Sequence, residues 1–225
     1  MPPKKPTAVP KKATPAKKTG ANGGRKTTPV SSQKKGATSS KDAKDVTDKL
    51  AKMSTTDEQP KPVIIEIELK DLSDVLKDDD GKIKSTGKWP MIVDSGGRAA
   101  VFLRYQGGNC LDAISPSDMQ AETIRKRLIG SIRYGNNFTI DFGGSDMFNS
   151  CRDRFEEIHK DLMNDVLDKS ILEKYEYLIT DADGPDYEKD KFLPHVTCNF
   201  QFIILSKIDP AQDIRNKFCI IKIKE

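Results

Sequence analysis

The run Lys88–Tyr105, KWPMIVDSGGRAAVFLRY, constrains the fold more than any other stretch of the chain. Met91, Ile92 and Val93 predict a short buried strand, Ser95-Gly96-Gly97 a tight turn, and Arg98 to Tyr105 an amphipathic helix. A strand that enters a glycine turn and then a helix is the architecture of phosphate-binding loops, in which helix N-terminal N–H groups face an anion. The loop chemistry departs from that pattern. A working loop carries Lys and then Ser or Thr, whose hydroxyl reaches Mg2+. Here residues 94–100 read DSGGRAA, so Arg98 offers a cation to phosphate, no hydroxyl residue follows it, and the loop is too short to wrap a triphosphate. Asp94, Gly96, Gly97 and Arg98 are thus candidates for a degenerate nucleotide site.

The charges divide the chain into two unlike parts. Of the 38 Lys and Arg residues, eleven lie in residues 1–41, which contain no Asp or Glu. The remainder carries 34 acids against 27 bases, so a strongly basic tail precedes an acidic body. The tail also has no Phe, Trp, Tyr, Ile or Leu. Such a segment buries too little apolar surface to offset an ordering entropy of about 1–2 kcal/mol per residue, and is expected to be disordered when free. Its cations come in pairs, Lys4-Lys5, Lys11-Lys12, Lys17-Lys18, Arg25-Lys26 and Lys34-Lys35, with prolines between that keep it extended. These residues are the candidate polyanion-binding site.

Residues 1–30 contain no apolar core of a secretory leader, and no run approaches the roughly 20 apolar residues of a membrane span. A cytosolic or nuclear protein is expected, with no membrane partner. Cys110, Cys151, Cys198 and Cys219 are widely spaced, with only His159 and His195 to complement them, so free thiols are expected in place of a zinc site. His195 and Cys198 lie in a turn-rich lead-in to a strand, with no sign of an oxyanion donor. No cofactor or metal is expected.

Residues 1–60 read as tail and linker, ending in DEQPKP, and residues 61–225 as one folded domain. In VIIEIEL the residues Val63, Ile65, Ile67 and Leu69 alternate as a half-buried strand requires. Asp78-Asp79-Asp80-Gly81 reads as a solvated turn, because its acids lack the alternating spacing of a calcium loop. Strands are expected at Cys110–Ile114, Phe138–Phe142, Phe200–Leu205 and Phe218–Ile223. Helices are expected from Asp118 to Tyr134, behind a Ser115-Pro116-Ser117 cap, and from Phe148 toward Leu172. On the first of these, Ala121, Ile124, Leu128 and Ile132 share one face, and Gly135 ends it. Trp89 is expected to anchor the sheet edge. The alternation implies an α/β fold: a parallel sheet flanked by helices.

Several blocks, in one order, carry a resemblance. WPMIVD at Trp89–Asp94, then Gly97 and the helix, then IRKRLIGSIRYGNNFTIDF, then FQFIILSKIDP resemble the fifth AAA+ module of the dynein heavy-chain motor ring. The carboxy-terminal region of IQ-motif and ankyrin-repeat proteins shares the same blocks. The similarity spans residues 87–225. It implies a degenerate AAA+ module with Asp94 before the phosphate loop, Asp141 in the Walker B place and Ser206-Lys207 in the sensor place. It also implies a structural role without ATP hydrolysis. The residues agree, since Asp141 is followed by Phe142 where a working site has Glu to orient water. No helical lid follows the last strand, and no further ring module, stalk, ankyrin repeat or IQ helix is evident, so motility is not expected.

The expected function is that of a non-catalytic adaptor, its domain docking protein partners and its tail holding a polyanion. Tubulin or another axonemal protein is one such partner, which implies the cytoplasm, cytoskeleton and ciliary axoneme. DNA or RNA is the other, because the Lys-Pro-Ala-Thr composition is close to that of linker-histone tails, and it implies the nucleus. Weak ATP binding is a further alternative.

Overall fold

Residues 63–225 are described by the computed structural model. The strands are β1 (Ile64–Ile67), β2 (Trp89–Val93), β3 (Asn109–Asp112), β4 (Asn137–Asp141), β5 (Gln201–Ser206) and β6 (Phe218–Ile223). Between them lie α1 (Leu72–Lys77), α2 (Arg98–Tyr105), α3 (Ala121–Tyr134), α4 (Phe148–Ile158), α5 (Leu162–Leu167), α6 (Ile171–Lys174), α7 (Pro194–Thr197) and α8 (Gln212–Arg215). All six strands join one sheet in the order β1-β6-β2-β5-β4-β3, and every neighbouring pair is parallel.

A parallel sheet must bury both faces, and the side-chain period of two shows how this one does so. Met91, Val93, Phe138, Ile140, Phe202, Ile204, Phe218 and Ile220 point to one side, where α3, α4 and α5 supply Ile124, Leu128, Phe155 and Met163. Ile92, Ile203, Leu205, Cys219 and Ile221 point to the other, against Leu72 and Leu76 of α1 and Ala99 and Leu103 of α2. Pro90 sits in the interior strand β2, an unusual place for a residue without an N–H. Asp94 donates its N–H to Ser206 O of β5, so by alternation residue 90 faces β5 as well, yet the β2–β5 ladder begins only at Met91. The missing donor therefore falls outside the ladder.

Several local expectations are corrected. The helix expected at Asp118 begins at Ala121, because the Asp118 carboxylate accepts the Asp112 N–H at 3.1 Å and holds residues 115–119 in a turn. The long helix from Phe148 breaks after Ile158: Asp161 takes a left-handed φ of 64°, and Glu156 accepts its N–H at 2.7 Å. The break turns Leu162, Met163 and Val166 into the core. Trp89 is not at an edge but in the interior strand β2, donating its indole N–H to Val166 O at 2.6 Å. In the acidic turn Asp79 and Asp80 are exposed, whereas Asp78 is buried, with its two oxygens accepting the Ile83 and Lys84 N–H groups at 2.8 and 2.7 Å. The face of α3 is as expected at Ile124, Leu128 and Ile132, and Gly135 ends that helix at φ 62°.

Candidate functional site

Because all strands run the same way, their carboxyl ends gather the loops that carry the candidate residues. In open α/β sheets this edge binds ligands, at the point where successive connections leave a strand in opposite directions. β2 is such a strand, lying between β6 and β5 with β3 at the far edge. The loops after β2, β5 and β4 are joined by backbone bonds from Asp94 N to Ser206 O, Phe142 N to Leu205 O and Lys207 N to Gly143 O, each 2.8–2.9 Å.

The strand–turn–helix at residues 89–105 forms as its sequence implies, with Gly97 as the helix cap at φ 69°. The backbone angle at Gly97 favours glycine there, whereas the contact a side chain would make, 2.9 Å to Lys207 Cε, is with the end of a flexible chain that can swing aside. Asp94, 3% exposed, is turned back into the loop. Its Oδ2 accepts the Ala99 N–H at 2.6 Å, its Oδ1 accepts the Gly96 N–H at 3.1 Å, and its carbonyl accepts the Gly97 N–H at 3.0 Å. Three of the N–H groups that a phosphate loop directs at its ligand are thus taken by one aspartate. A phosphate brought to this helix end would also meet a buried carboxylate.

Arg98, the one cation of the loop, is exposed and donates from Nη2 to Lys224 O at 2.9 Å, while Ser95 Oγ donates to Glu225 Oε1 at 3.0 Å. Both side chains tie the loop to the chain after β6. Asp141 caps its own turn, accepting the Gly143 N–H at 2.9 Å, and its second oxygen receives Arg104 Nη2 at 3.3 Å. The Ser206 hydroxyl donates to Ile208 O at 2.7 Å. The edge therefore brings Asp94, Gly96, Gly97, Arg98 and Asp141 together, with polar groups satisfied by neighbouring protein. Arg104 and the Lys224 carbonyl had no signal in the sequence, since their partners are set by the sheet order alone. Lys207 was legible only as a position.

His195 and Cys198 do not form a thiol–imidazole pair: the Cys198 sulfur lies 3.4 Å from the His195 carbonyl oxygen. All four cysteines are free. Burial pushes the Cys151 thiol up to about 12, which makes it an unreactive core residue. No group of three or more His, Cys, Asp or Glu side chains among the described residues is arranged to hold a metal ion. Lys4, Lys5, Lys11, Lys12, Lys17, Lys18, Arg25, Lys26, Lys34 and Lys35 lie outside the described residues. No helix among those described is long and apolar enough to cross a membrane.

No family model matches the chain, and no solved structure matches it significantly.

Proposed function

We propose that this chain is a non-catalytic adaptor: a degenerate AAA+ module that docks protein partners, carried on a basic tail that holds the acidic surface of a microtubule. The observation that carries the first half is the Asp94 carboxylate seated on the Gly96 and Ala99 N–H groups. With its anion site filled from within, the loop retains a phosphate-binding shape without a phosphate-binding surface. The strand order supports the module assignment. The carboxyl ends of the neighbouring strands β2, β5 and β4 bring together Asp94, Ser206 and Asp141, the residues that the resemblance puts in the phosphate-loop, sensor and Walker B places. The resemblance to the structural fifth module of dynein points the same way.

The tail acts by charge. Eleven cations in residues 1–41 gain affinity for a polyanion chiefly by releasing its counterions, so binding is tolerant of sequence and sensitive to salt. The ciliary setting of the dynein resemblance favours tubulin over nucleic acid. Co-sedimentation of the full chain with microtubules at low salt tests this. Binding is expected to be lost on deleting residues 1–41 and to weaken steeply between about 50 and about 200 mM salt. Unchanged binding after the deletion overturns the role of the tail. Tighter binding to duplex DNA than to microtubules at matched salt assigns the tail to the nucleus instead.

A further inference from the structure

A second concave site lies at the opposite edge of the sheet. A cavity of about 600 Å³ opens at the amino ends of β2, β4 and β5, bounded by the α1 segment on one side and the α5–α6 junction on the other. Its size falls within the roughly 300–1,000 Å³ of small-molecule sites. Trp89, Phe200, Leu76 and Ile83 supply apolar wall, with the Trp89 and Phe200 rings edge to face at 5.6 Å.

The charges around this wall are unbalanced. Four lysines line the cavity: Lys77 is paired with Asp74, whereas Lys84, Lys88 and Lys169 have no ion pair with a described residue. The lining acids are Asp78 and Asp79. Asp78 is buried and already accepts two backbone N–H groups, and Asp79 stands exposed at the rim. Lys169 is the most constrained of the cations. Its backbone is held at φ 69°, a costly conformation for a side-chain-bearing residue, and its ammonium sits 4.4 Å from the centre of the Trp89 ring. Burial pulls its pKa down, with only the Asp78 charge acting against that. A half-buried ammonium that rests on an aromatic face and has no ion pair among the described residues is poised to receive an anion.

We propose that this cavity binds a small amphipathic organic anion, its apolar body lying against Trp89 and its carboxylate, sulfonate or phosphate head meeting Lys169, Lys88 and Lys84. Charge alone does not define the site, because apolar side chains line it too; neither does apolarity, because Lys84, Lys88 and Lys169 line it. The site is independent of the Asp94 loop, which lies at the other end of β2.

The molecule carries its own reporters. Trp89 is the single tryptophan of the chain, and Cys198, an exposed cysteine, also lines the cavity. The full chain is titrated with 8-anilinonaphthalene-1-sulfonate, an aromatic sulfonate, while Trp89 emission and the alkylation rate of Cys198 are followed. The expected result is one-site, saturable quenching of Trp89 with energy transfer to the probe, and slower alkylation of Cys198. Lys169→Met is expected to weaken binding about tenfold, equivalent to about 1.4 kcal/mol. Lys169→Arg, which keeps the charge and controls for folding, is expected to bind nearly as the parent chain does. Uncharged N-phenyl-1-naphthylamine and inorganic phosphate should each compete poorly. The proposal is overturned by an unchanged Trp89 signal, by equal affinity in Lys169→Met, or by either half-probe competing as well as the sulfonate itself.

Discussion

Asp94 decides what the first loop can do. A glycine turn before a helix presents N–H groups to whatever negative charge is nearest, and here that charge is built into the chain at bonding distances of 2.6 and 3.1 Å. Its role is that of a helix cap and loop staple in one. Asp94→Ala should therefore destabilise the fold by about 2 kcal/mol, since it strips a cap and leaves a buried N–H without an acceptor. Urea unfolding measures this, and a change below about 0.5 kcal/mol would show the contact to be incidental. Gly135 is a second residue whose identity is fixed by geometry. A Cβ there would lie 2.2 Å from Val196 O at a φ of 62°, so Gly135→Ala should lower stability by more than about 1 kcal/mol and depress Tm.

At the scale of elements, the helical and strand runs with clear periodicity were legible, and their ends were not. The near-continuous apolar runs of β5 and β6 and the i, i+3, i+4 stripe of α3 follow from burial, which the residue types record directly. The start of α3 and the break after α4 were decided by Asp118 and Glu156 bonding to particular backbone N–H groups, a choice that propensity does not encode. Residues 179–191 show the same thing on a larger scale. This polar connection is pinned to α3 by Arg125, 7% exposed, whose guanidinium holds Asp183, 3% exposed, at 2.7 and 2.8 Å and also bonds Glu122 and Leu178 O.

That ion pair has consequences for acid stability. The Arg125 guanidinium holds the Asp183 carboxyl well below the usual carboxylate range and brings Glu122 down to about 2. A carboxyl depressed on folding adds stability that is complete above its unfolded value, near 4, and is lost as pH falls toward the folded value. Stability should thus be flat from neutrality to about pH 5 and decline below about pH 4, and Asp183→Asn should flatten that decline. Asp183→Ala, which removes the buried partner of Arg125 and leaves it only the exposed Glu122 carboxylate and the Leu178 carbonyl, should cost about 3 kcal/mol. Denaturant titrations at several pH values check both, and an unaltered acid limb in Asp183→Asn would contradict the assignment.

For the whole molecule, the sequence disclosed an α/β domain behind a basic tail, and six parallel strands flanked by helices agree with that reading. It did not disclose the second cavity. Lys88, Lys169 and Cys198 are far apart in sequence, and the sheet order alone brings the amino ends of β2, β4 and β5 together with the α5–α6 junction. The carboxyl edge was legible because Asp94 to Arg98 form one motif and Asp141 and Ser206 each end a strand that the sequence shows. The two edges then differ: one keeps a loop of phosphate-binding shape closed by its own aspartate, the other an opening lined by three lysines that have no ion pair among the described residues.

Whether the Asp94 loop holds nucleotide separates an adaptor from a nucleotide-binding protein. Equilibrium binding of labelled ATP with Mg2+ to the full chain, repeated with Arg98→Ala and with Lys169→Met, tests it most directly. No ATP binding that depends on Arg98 is the predicted result. Stoichiometric ATP that is lost in Arg98→Ala and retained in Lys169→Met would place the nucleotide on the first loop and contradict it.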